Sequence, residues 1–365
     1  MGANMNLKIQ KILSKIESNG FEAYIVGGFV RDYLLDIYTT DVDICTNALP
    51  KDIMTIFDIK KAPAMYGSVS IPDGEYNFDI TTYRTESNYE KRRPLTINYT
   101  SNLLEDIKRR DFTINALCMN KEGQIFDYLN GKKDIADRII RVIGNTDEKL
   151  KEDPLRILRA IRFATTLDFN LDEKILKFIK NNKDLIKSLS YTRKKEELDK
   201  IFSSKNISIG LKLLKKLNLL DTLEINYNNI IIVPDLLGIW SQIDFSNNYP
   251  FTKNNLKVIK KIRNIVKNGV ITNQLLFEED LYIITVAAQI LGIDVKEISL
   301  KKQKLPITSR KDLKVSFNDI VNLLNQEQNE TINVIYNDII NKVLDHKLLN
   351  EEKEIKDYIL KVWKW

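Results

Sequence analysis

Two aspartates one residue apart, Asp41 and Asp43, lie in an apolar run that follows a Gly27-Gly28 step and a short predicted helix. Alternation along a β-strand points both carboxylates to the same face. Two like charges held this close repel each other unless a cation lies between them. Hard oxygen ligands suit Mg²⁺, which keeps several waters and also binds substrate phosphates. The pair therefore predicts a magnesium site, and two solvated carboxylates at a strand end are the alternative.

The glycines that precede the aspartates add a second function to the same segment. Gly27 and Gly28 let backbone N–H groups and a helix N-terminus approach an anion, and Arg31 follows within one turn. A metal site beside a phosphate cradle indicates phosphoryl or nucleotidyl transfer. Such sites often take a third carboxylate from a neighbouring strand, and Asp79 is the best candidate. Its alternative is a polar residue on the exposed face of an edge strand.

A basic segment with an aspartate, Lys108–Leu117, contains Arg110 and Asp111. The apolar pattern after Asp111 predicts a helix, for which Asp111 could be the N-cap. The same residues could equally donate to phosphates and accept from a ribose hydroxyl. Spacing alone does not separate the two interpretations.

An arginine stripe follows the helix-start signal Asp153-Pro154. Arg156, Arg159 and Arg162 recur every three residues and share one helix face, interleaved with apolar residues. A solvated basic face is one interpretation. Arginines turned toward a core need anionic partners, and a triphosphate would serve. Asp153 and Arg156 also combine an acceptor with a rigid fork of donors, which suits reading the edge of a base.

Composition limits the chemistry. The chain has 365 residues, 43% of them hydrophobic and 29% charged, which predicts two or three domains with real cores. Cys45 and Cys118 are too few for a metal cage and are predicted to be core thiols. The single histidine, His346, is predicted at the surface or at a helix end. Catalysis must therefore use carboxylates, arginines and metal, and a phosphohydrolase with His-Asp metal clusters is excluded.

Charge and hydropathy bear on partners and compartment. The net charge of +6 and the pI near 8.9 fit a polyanionic partner. Lys257–Lys261 and Lys301–Lys304 are candidate contacts, with ordinary solvated lysine faces as the alternative. No apolar run reaches about 18 residues, so we expect no membrane association and a cytoplasmic protein.

The periodicity predicts an α+β chain in which a mixed-sheet head precedes helices. Helical spacing covers residues 7–19, the turn Asn130–Asp134 leads into a helix, and almost everything from Asp153 is helical, with Ile230–Val233 the main ambiguity. A charged loop is predicted at Thr308–Lys314. Strands are predicted at Ala23–Val26, Val42–Cys45, Ser68–Ile71, Asn77–Tyr83 and Gln124–Asp127.

Together these segments resemble the class II tRNA nucleotidyltransferases, the superfamily of CCA-adding enzymes and bacterial poly(A) polymerases. The likeness extends over about residues 20–202, and a weaker one continues through Leu305-Pro306-Ile307 and Asp312-Leu313. The motifs that carry it are Gly-Gly-x-Val-Arg-Asp and Asp-x-Asp within 27–43, Arg-Arg-Asp-Phe-Thr-Ile-Asn-Ala-Leu at 109–117, the turn 127–134, Glu-Asp-Pro-Leu-Arg-x-Leu-Arg-Ala-x-Arg-Phe at 152–163, and Glu196-Glu197-Leu198 with Lys200.

The resemblance implies roles for single residues. Asp41 and Asp43 would hold Mg²⁺, with Asp79 as a third catalytic carboxylate. The remaining implied contacts are to the nucleotide: Gly27, Gly28 and Arg31 to phosphates, Arg110 and Asp111 to ribose and phosphate, Asp153 and Arg156 to the base, and Arg159 and Arg162 to the triphosphate.

It also implies an architecture and an activity. A nucleotidyltransferase-type head, residues 1–150, would precede an all-α neck, 151–205, and an all-α body and tail, 206–365, that grip tRNA. The implied reaction is template-independent addition and repair of the 3′-terminal CCA of tRNA from CTP and ATP, by two-metal transfer with release of pyrophosphate. No obligate protein partner is expected.

Other activities and some departures stay open. A CC-only or A-only enzyme is an alternative, as is a poly(A) polymerase, although those usually carry long basic extensions. A non-catalytic RNA-binding protein would have lost Asp41 or Asp43, and both are present. Ser190–Arg193 lacks the Glu of a usual Ser-x-Glu-Arg, Ala62–Ser68 lacks a common His, and Ser316 or Phe317 stands near a common Gly. None of these departures removes a metal ligand.

Overall fold

The computed structural model describes residues 6–59, 68–90 and 93–363, with 86–90 and 93–96 described by their backbone alone. The chain divides into two compact units, Met1–Ile225 and Asn226–Trp365. The boundaries expected at residues 150 and 205 fall inside the first unit and stay predictions. The expected departure at Ala62–Ser68 lies almost wholly outside the described residues.

The first unit joins a mixed sheet to a set of helices. Its strands are β1 Ala23–Val26, β2 Asp41–Thr46, β3 Ser68–Asp73, β4 Tyr76–Thr82, β5 Arg84–Glu90, β6 Arg93–Tyr99, β7 Cys118–Met119, β8 Ile125–Phe126, β9 Ile139–Ile140 and β10 Asn170–Leu171. Its helices are α1 Leu7–Glu17, α2 Gly28–Leu34, α3 Pro50–Ile56, α4 Leu103–Lys108, α5 Gly131–Ala136, α6 Thr146–Glu152, α7 Leu155–Leu167, α8 Glu173–Asn182, α9 Tyr191–Phe202, α10 Ile207–Lys216 and α11 Leu220–Leu223.

The main sheet has the strand order β3-β4-β2-β1-β7-β8. Strands β2 and β4 run parallel, and the other neighbours in the sheet are antiparallel. Val42 and Ile44 of β2 are buried, whereas Asp41 and Asp43, which alternate with them, are exposed. The period of two therefore places both carboxylates on one face, as the sequence predicts. The predicted α+β class, with a mixed-sheet head and a mostly helical remainder, is confirmed.

The prediction of a helix after Asp111 is wrong. Thr113–Asn115 forms a single 3-10 turn, after which the chain enters β7. Tertiary contacts hold this turn: the Thr113 N–H donates to the Arg141 carbonyl at 3.0 Å, and the Thr113 hydroxyl donates to Asp134 at 2.6 Å. These contacts outweigh the local helical pattern, and they fix the backbone next to the residues that line the candidate site.

The hairpin of β5 and β6 was not predicted from the sequence. Further along, Thr308–Lys314 contains a 3-10 turn at Arg310–Asp312, and Ile230–Val233 forms no strand. Cys45 and Cys118 are buried free thiols, as expected. His346 follows the helix Glu330–Leu344 with a positive φ of 57°, which places it at a helix end, as expected.

Helix α7 is the scaffold of the helical part of the first unit. It packs against α9 and α10, and residues on its inner face, including Leu158 and Ile161, are fully buried. Gly210 of α10 permits the close approach, because an added Cβ would lie 2.4 Å from Ile201 and 2.8 Å from Thr165. The arginines of α7 are thereby held on a rigid element.

The second unit is built mainly from helices around its own cores. One core includes Val315, Ile320, Ile339 and Ile355, and a separate aromatic cluster surrounds Trp240. Within the described residues, no helix is both long and apolar enough to cross a membrane. Its elements are β11 Ile225–Asn226 at the division, β12 Asp244–Phe245, α12 Leu236–Ser241, α13 Lys253–Asn268, α14 Asn273–Glu278, α15 Leu281–Leu291, α16 Val295–Gln303, α17 Phe317–Leu324, α18 Glu330–Leu344 and α19 Glu352–Val362.

The contact between α5 and the 3-10 turn gives a stability test. A Cβ added at Gly131 would lie 2.3 Å from the Thr113 carbonyl oxygen, so the backbone of one element must move. We expect Gly131→Ala to lower the free energy of unfolding by about 1–3 kcal/mol. Thermal unfolding followed by circular dichroism measures it. Lys133→Ala, at an exposed position of α5, is the control, and equal melting temperatures for both variants would contradict the close packing.

Candidate active site

A cavity of about 480 Å³ opens between the end of β1, the 3-10 turn and α7. That volume is within the usual range of small-molecule sites. Among the described residues, seven arginines and three aspartates line it, so the cavity is strongly positive and suits a polyanion. The lining residues are Gly27, Gly28, Arg31, Asp43, Arg84, Arg109, Arg110, Asp111, Asn115, Asp153, Arg156, Arg159, Arg162 and Phe163.

Most of the site residues predicted from the sequence meet in this cavity. The exceptions are Asp41 and Asp79, which are not lining residues but lie on β2 and β4 beside Asp43. Four further lining residues were not predicted from the sequence as site residues: Arg84, Arg109, Asn115 and Phe163.

The three carboxylates of the sheet lie on adjacent strands. In the parallel register of β2 and β4, Asp43 is directly opposite Asp79. Asp79 accepts a hydrogen bond from the Ser70 hydroxyl, and Asp41 accepts one from the Asn77 amide at 3.4 Å. Both bonds tie the carboxylates to neighbouring strands and leave Asp43 as the one that faces the cavity.

The surroundings of Asp43 disfavour its negative charge. Its side chain is reached by solvent, but the cavity walls remove part of its hydration, and this is the main reason its pKa is raised. The charges of Asp79 and Asp41 raise this pKa further, while Arg110 lowers it. A cation would offset the repulsion among these carboxylate charges, so the carboxylates fit the predicted metal site. Among the described residues no three potential ligands cluster tightly enough for one ion, so water and substrate oxygens would complete the shell.

Gly27 allows the negative and positive sides of the cavity to meet. Its φ of +75° lies in a region that side chains other than glycine rarely adopt. An added Cβ would lie 3.2 Å from the carboxylate of Asp43 and 3.6 Å from the guanidinium of Arg110. A glycine is therefore required here both by conformation and by space.

Arg31 is fixed by side chains from two directions. Its Nε donates to Asp32 at 2.8 Å, and its Nη1 donates to the Asn115 side-chain oxygen at 2.6 Å. The Asn115 amide in turn donates to Asp111 at 3.2 Å. Asn115 thus connects Arg31 to Asp111. Its spacing of four residues from Asp111 in the 109–117 motif was the available signal.

Asp111 forms an ion pair with Arg159 and does not begin a helix. Arg159 donates through Nε at 2.8 Å and through Nη2 at 2.5 Å, so the contact is bidentate. Burial alone would raise the pKa of Asp111, but Arg159 together with donors from Asn115 and the Phe112 N–H holds that pKa below its ordinary value. The N-cap interpretation is therefore wrong, and contact with a ribose stays a prediction.

Asp106 holds a pair of arginines at the cavity wall. This fully buried carboxylate accepts from Arg109 Nε at 2.8 Å and from Arg110 Nη2 at 3.1 Å, and also from the Arg84 backbone N–H at 3.2 Å. Burial would lower the pKa of Arg110, but Asp106 outweighs this effect and raises it. The Arg110 Nε is buried and has no hydrogen-bond partner among the described residues.

The start of α7 brings Asp153 and Arg156 to the same cavity. Asp153 accepts a hydrogen bond from the Leu155 N–H at 3.1 Å, although the helix begins at Leu155, one residue later than the Asp-Pro signal indicates. Arg156 is buried and donates to the Lys149 carbonyl at 2.6 Å and to Glu152 at 3.2 Å. The acceptor and the fork of donors are thus both placed on a fixed support.

The surroundings of Arg162 on α7 disfavour its positive charge. Its Nε lies 2.8 Å from a carboxylate oxygen of Glu197 on α9, but neither atom makes a well-oriented hydrogen bond. Burial lowers the pKa of Arg162, and the charges of Arg159 and Arg31 lower it further, against the attraction of Glu197. An incoming anion would stabilise this guanidinium.

Two family models match parts of the chain. Residues 23–141 match the poly A polymerase head domain. Residues 168–227 match the model described as the probable RNA and SrmB-binding site of polymerase A. The first range contains the sheet and the arginines of α2 and of the 109–117 motif, and the second follows α7.

Named relatives and a solved structure agree with these matches. The chain is 32% identical over 379 residues to a CCA-adding enzyme of Ligilactobacillus salivarius (strain UCC118), covering 95% of this chain and 94% of that enzyme. It is 45% identical over 197 residues to that of Lactobacillus helveticus (strain DPC 4571), where the match spans 53% of this chain and only 49% of the enzyme. A Bacillus stearothermophilus CCA-adding enzyme crystallised in complex with CTP superimposes with a TM-score of 0.83 and 25% identity over 98% of each chain.

The buried carboxylate of Asp106 gives a test of how the arginine wall is held. We expect Asp106→Asn to weaken binding of a nucleoside triphosphate about tenfold, because both Arg109 and Arg110 lose a charged anchor. Isothermal titration with CTP measures the dissociation constant. Glu105→Gln is the matched control, since Glu105 is the exposed neighbour on α4 and bonds only the Thr100 hydroxyl among the described contacts. An unchanged affinity in a folded Asp106→Asn protein would contradict this positioning.

Proposed function

We propose that this chain, which belongs to the family of CCA-adding enzymes, adds the 3′-terminal CCA of tRNA from CTP and ATP without a nucleic-acid template. The observation that carries the proposal is the cavity in which seven arginines face Asp43 of the sheet. Such a cavity suits a nucleoside triphosphate at the arginines and a reacting phosphate near the carboxylates. Poly(A) synthesis and partial addition remain as outcomes of the test.

The reaction is a nucleotidyl transfer. The 3′-hydroxyl of tRNA attacks the α-phosphate of CTP or ATP, the bond to the β-phosphate breaks, and pyrophosphate leaves. Arg31, Arg159 and Arg162 donate to triphosphate oxygens where negative charge develops. Asp111 and Asn115 keep two of these arginines in place, because they bond Arg159 and Arg31 directly. Gly27 and Gly28 leave room for the phosphates beside them.

Asp41 and Asp43 are proposed to hold Mg²⁺, with Asp79 as a further catalytic carboxylate. When bound, the ion would lower the pKa of the attacking hydroxyl and neutralise charge on the phosphates. Asp43 is the carboxylate nearest the nucleotide, since it alone of the three lines the cavity. The exposed face of β2 gives both ligands access to solvent.

Asp153 and Arg156 are proposed to read the base. Cytosine and adenine each present an amino donor beside a ring-nitrogen acceptor, which matches a carboxylate and a guanidinium. Guanine and uracil reverse this pattern and would leave polar groups unpaired, at a cost of about 1–3 kcal/mol each. The rigid support of Arg156 by Lys149 and Glu152 favours a fixed reader over a mobile one.

Recognition of tRNA is proposed to rest on shape and phosphates, because A-form helices hide their base edges. Lys257 and Lys260 are exposed on α13 and suit this role. Lys261 and Lys302 are weaker candidates. Lys261 pairs with Glu279 at 2.5 Å, and Lys302 donates to the carbonyls that end α14. We also assign the protein to the cytoplasm, where its substrates occur.

One assay tests the proposal. The purified protein is incubated with tRNA that ends at the discriminator base, together with CTP, ATP or both, and the new 3′ ends are sequenced. We expect CC with CTP alone and CCA with both nucleotides. Products that stop at CC, that contain only A, or that carry long A tails would contradict full CCA addition.

The metal assignment is tested in the same assay. We expect Asp41→Ala to reduce incorporation at least about a hundredfold, because a metal ligand contributes several kcal/mol to the transition state, while tRNA binding in a gel-shift experiment is unchanged. Asp147→Ala, an exposed carboxylate on α6, is the control. Normal incorporation by Asp41→Ala in Mg²⁺ would overturn the role of Asp41.

Base selection has its own test. We expect Arg156→Ala to raise misincorporation of UTP relative to CTP by about ten- to a hundredfold, with a smaller loss of triphosphate affinity. Arg156→Lys keeps the charge but loses the fork of donors, so it should also relax selection. Melting temperatures separate selection from stability, since Arg156 also supports the Lys149 carbonyl. An unaltered ratio of CTP to UTP in both variants would exclude the role.

A further inference from the structure

One aromatic ring lies among three of the cavity arginines. The guanidinium carbons of Arg162, Arg31 and Arg159 are 4.1, 5.2 and 5.6 Å from the ring centroid of Phe163. All three distances are within the range of a cation–π interaction, in which the negative face of a ring attracts a cation. Phe163 is buried on α7, and the ring of Phe112 meets it edge-on at 5.6 Å, so its orientation is fixed by packing.

The three arginines need such a neighbour because their charges repel. Arg31 comes from α2 and the other two come from α7, so this grouping depends on tertiary structure. Their carboxylate partners, Asp32, Asp111 and Glu197, lie on three different segments, and each is in direct contact with a different one of the three arginines. The ring of Phe163 is a neutral group that contacts all three guanidinium groups.

We propose that Phe163 is a positioning residue that holds the three cations together for the triphosphate through its π face, a role that rests on the proposed function. A guanidinium that stacks on a ring contacts it through its flat face and keeps its in-plane N–H donors for phosphates. The ring and the substrate therefore do not compete for the same donors. Without the ring, the like charges move apart, and the substrate has to bring them back on binding.

A purely apolar role for Phe163 is the competing explanation, and ring fluorination separates the two. Site-specific incorporation of 4-fluoro-, 3,5-difluoro- and 3,4,5-trifluorophenylalanine at position 163 keeps the size and apolar character nearly constant while weakening the negative ring face stepwise. Packing is insensitive to this series, whereas a cation–π contact weakens with every fluorine atom.

The expected result is a stepwise rise in KM for CTP and in its dissociation constant, reaching about three- to tenfold for the trifluoro ring. We expect kcat to fall by a smaller factor than KM rises, because the triphosphate already carries most of its negative charge in the ground state and only the charge that develops in the transition state adds to the effect. Melting temperatures should stay constant through the series. Phe163→Leu, which removes the ring, should raise KM at least as far as the trifluoro ring does.

The matched control is the same series at Phe178, a buried ring on α8 that does not line the cavity. There KM should not follow fluorination. A constant or falling KM through the Phe163 series in an active enzyme would overturn the positioning role and leave the proposed function intact. If instead the unsubstituted protein incorporates neither CTP nor ATP, the proposed function itself fails.

Discussion

Neutralising buried arginine charge is the constraint on which the site depends. Taking a guanidinium out of water is costly unless a carboxylate accompanies it. The chain meets this requirement with acids from separate elements. Asp111, just before the 3-10 turn, pairs with Arg159 of α7, and Glu197 of α9 lies against Arg162. The first pair ties the segment that leads into β7 to α7, and the second ties α7 to α9, so the same contacts that permit burial also fix the cavity wall.

The carboxylates neutralise the arginine charges only in part, so the cavity can still bind an anion. More arginines than aspartates line it, and Arg162 keeps a lowered pKa because burial and its cationic neighbours outweigh Glu197. Neutralising every guanidinium with its own carboxylate would stabilise the free protein but leave little attraction for a triphosphate. A ring that attracts cations without carrying charge avoids this conflict. Phe163 therefore serves binding in a way that another aspartate at its position could not.

Local pattern predicted what is local. The strand β1, the alternation of β2 and the arginine stripe of α7 follow from periods of two and of three to four residues. These periods do not bring Asp43 and the three α7 arginines together. Their grouping was implied by the family resemblance, and in the structure they line one cavity. The burial of Asp106 could not be predicted, because Asp106 is one of two adjacent acids in α4 and this pattern is typical of an exposed helix. It is completely buried, and it is bonded by the Arg84 N–H of β5 and by the Arg109 side chain. Asn115 and the 3-10 turn were missed for the same reason, since Asp134 and Arg141 hold that turn from a distance in sequence.

Gly27 lies where the two halves of the site meet, the carboxylates of the sheet and the arginines of the cavity wall. The carboxylate of Asp43 and the guanidinium of Arg110 approach the same point of the backbone, and only a residue without a side chain fits between them. If Arg110 paired directly with Asp43, the proposed metal ligand and the proposed phosphate donor would neutralise each other. Asp106 counters this, because it holds Arg110 through Nη2 at 3.1 Å, although Arg110 still lowers the pKa of Asp43. Under the proposed function, the reacting phosphate lies where these two halves meet. Asp106 of α4 then limits how far Arg110 neutralises Asp43 of β2.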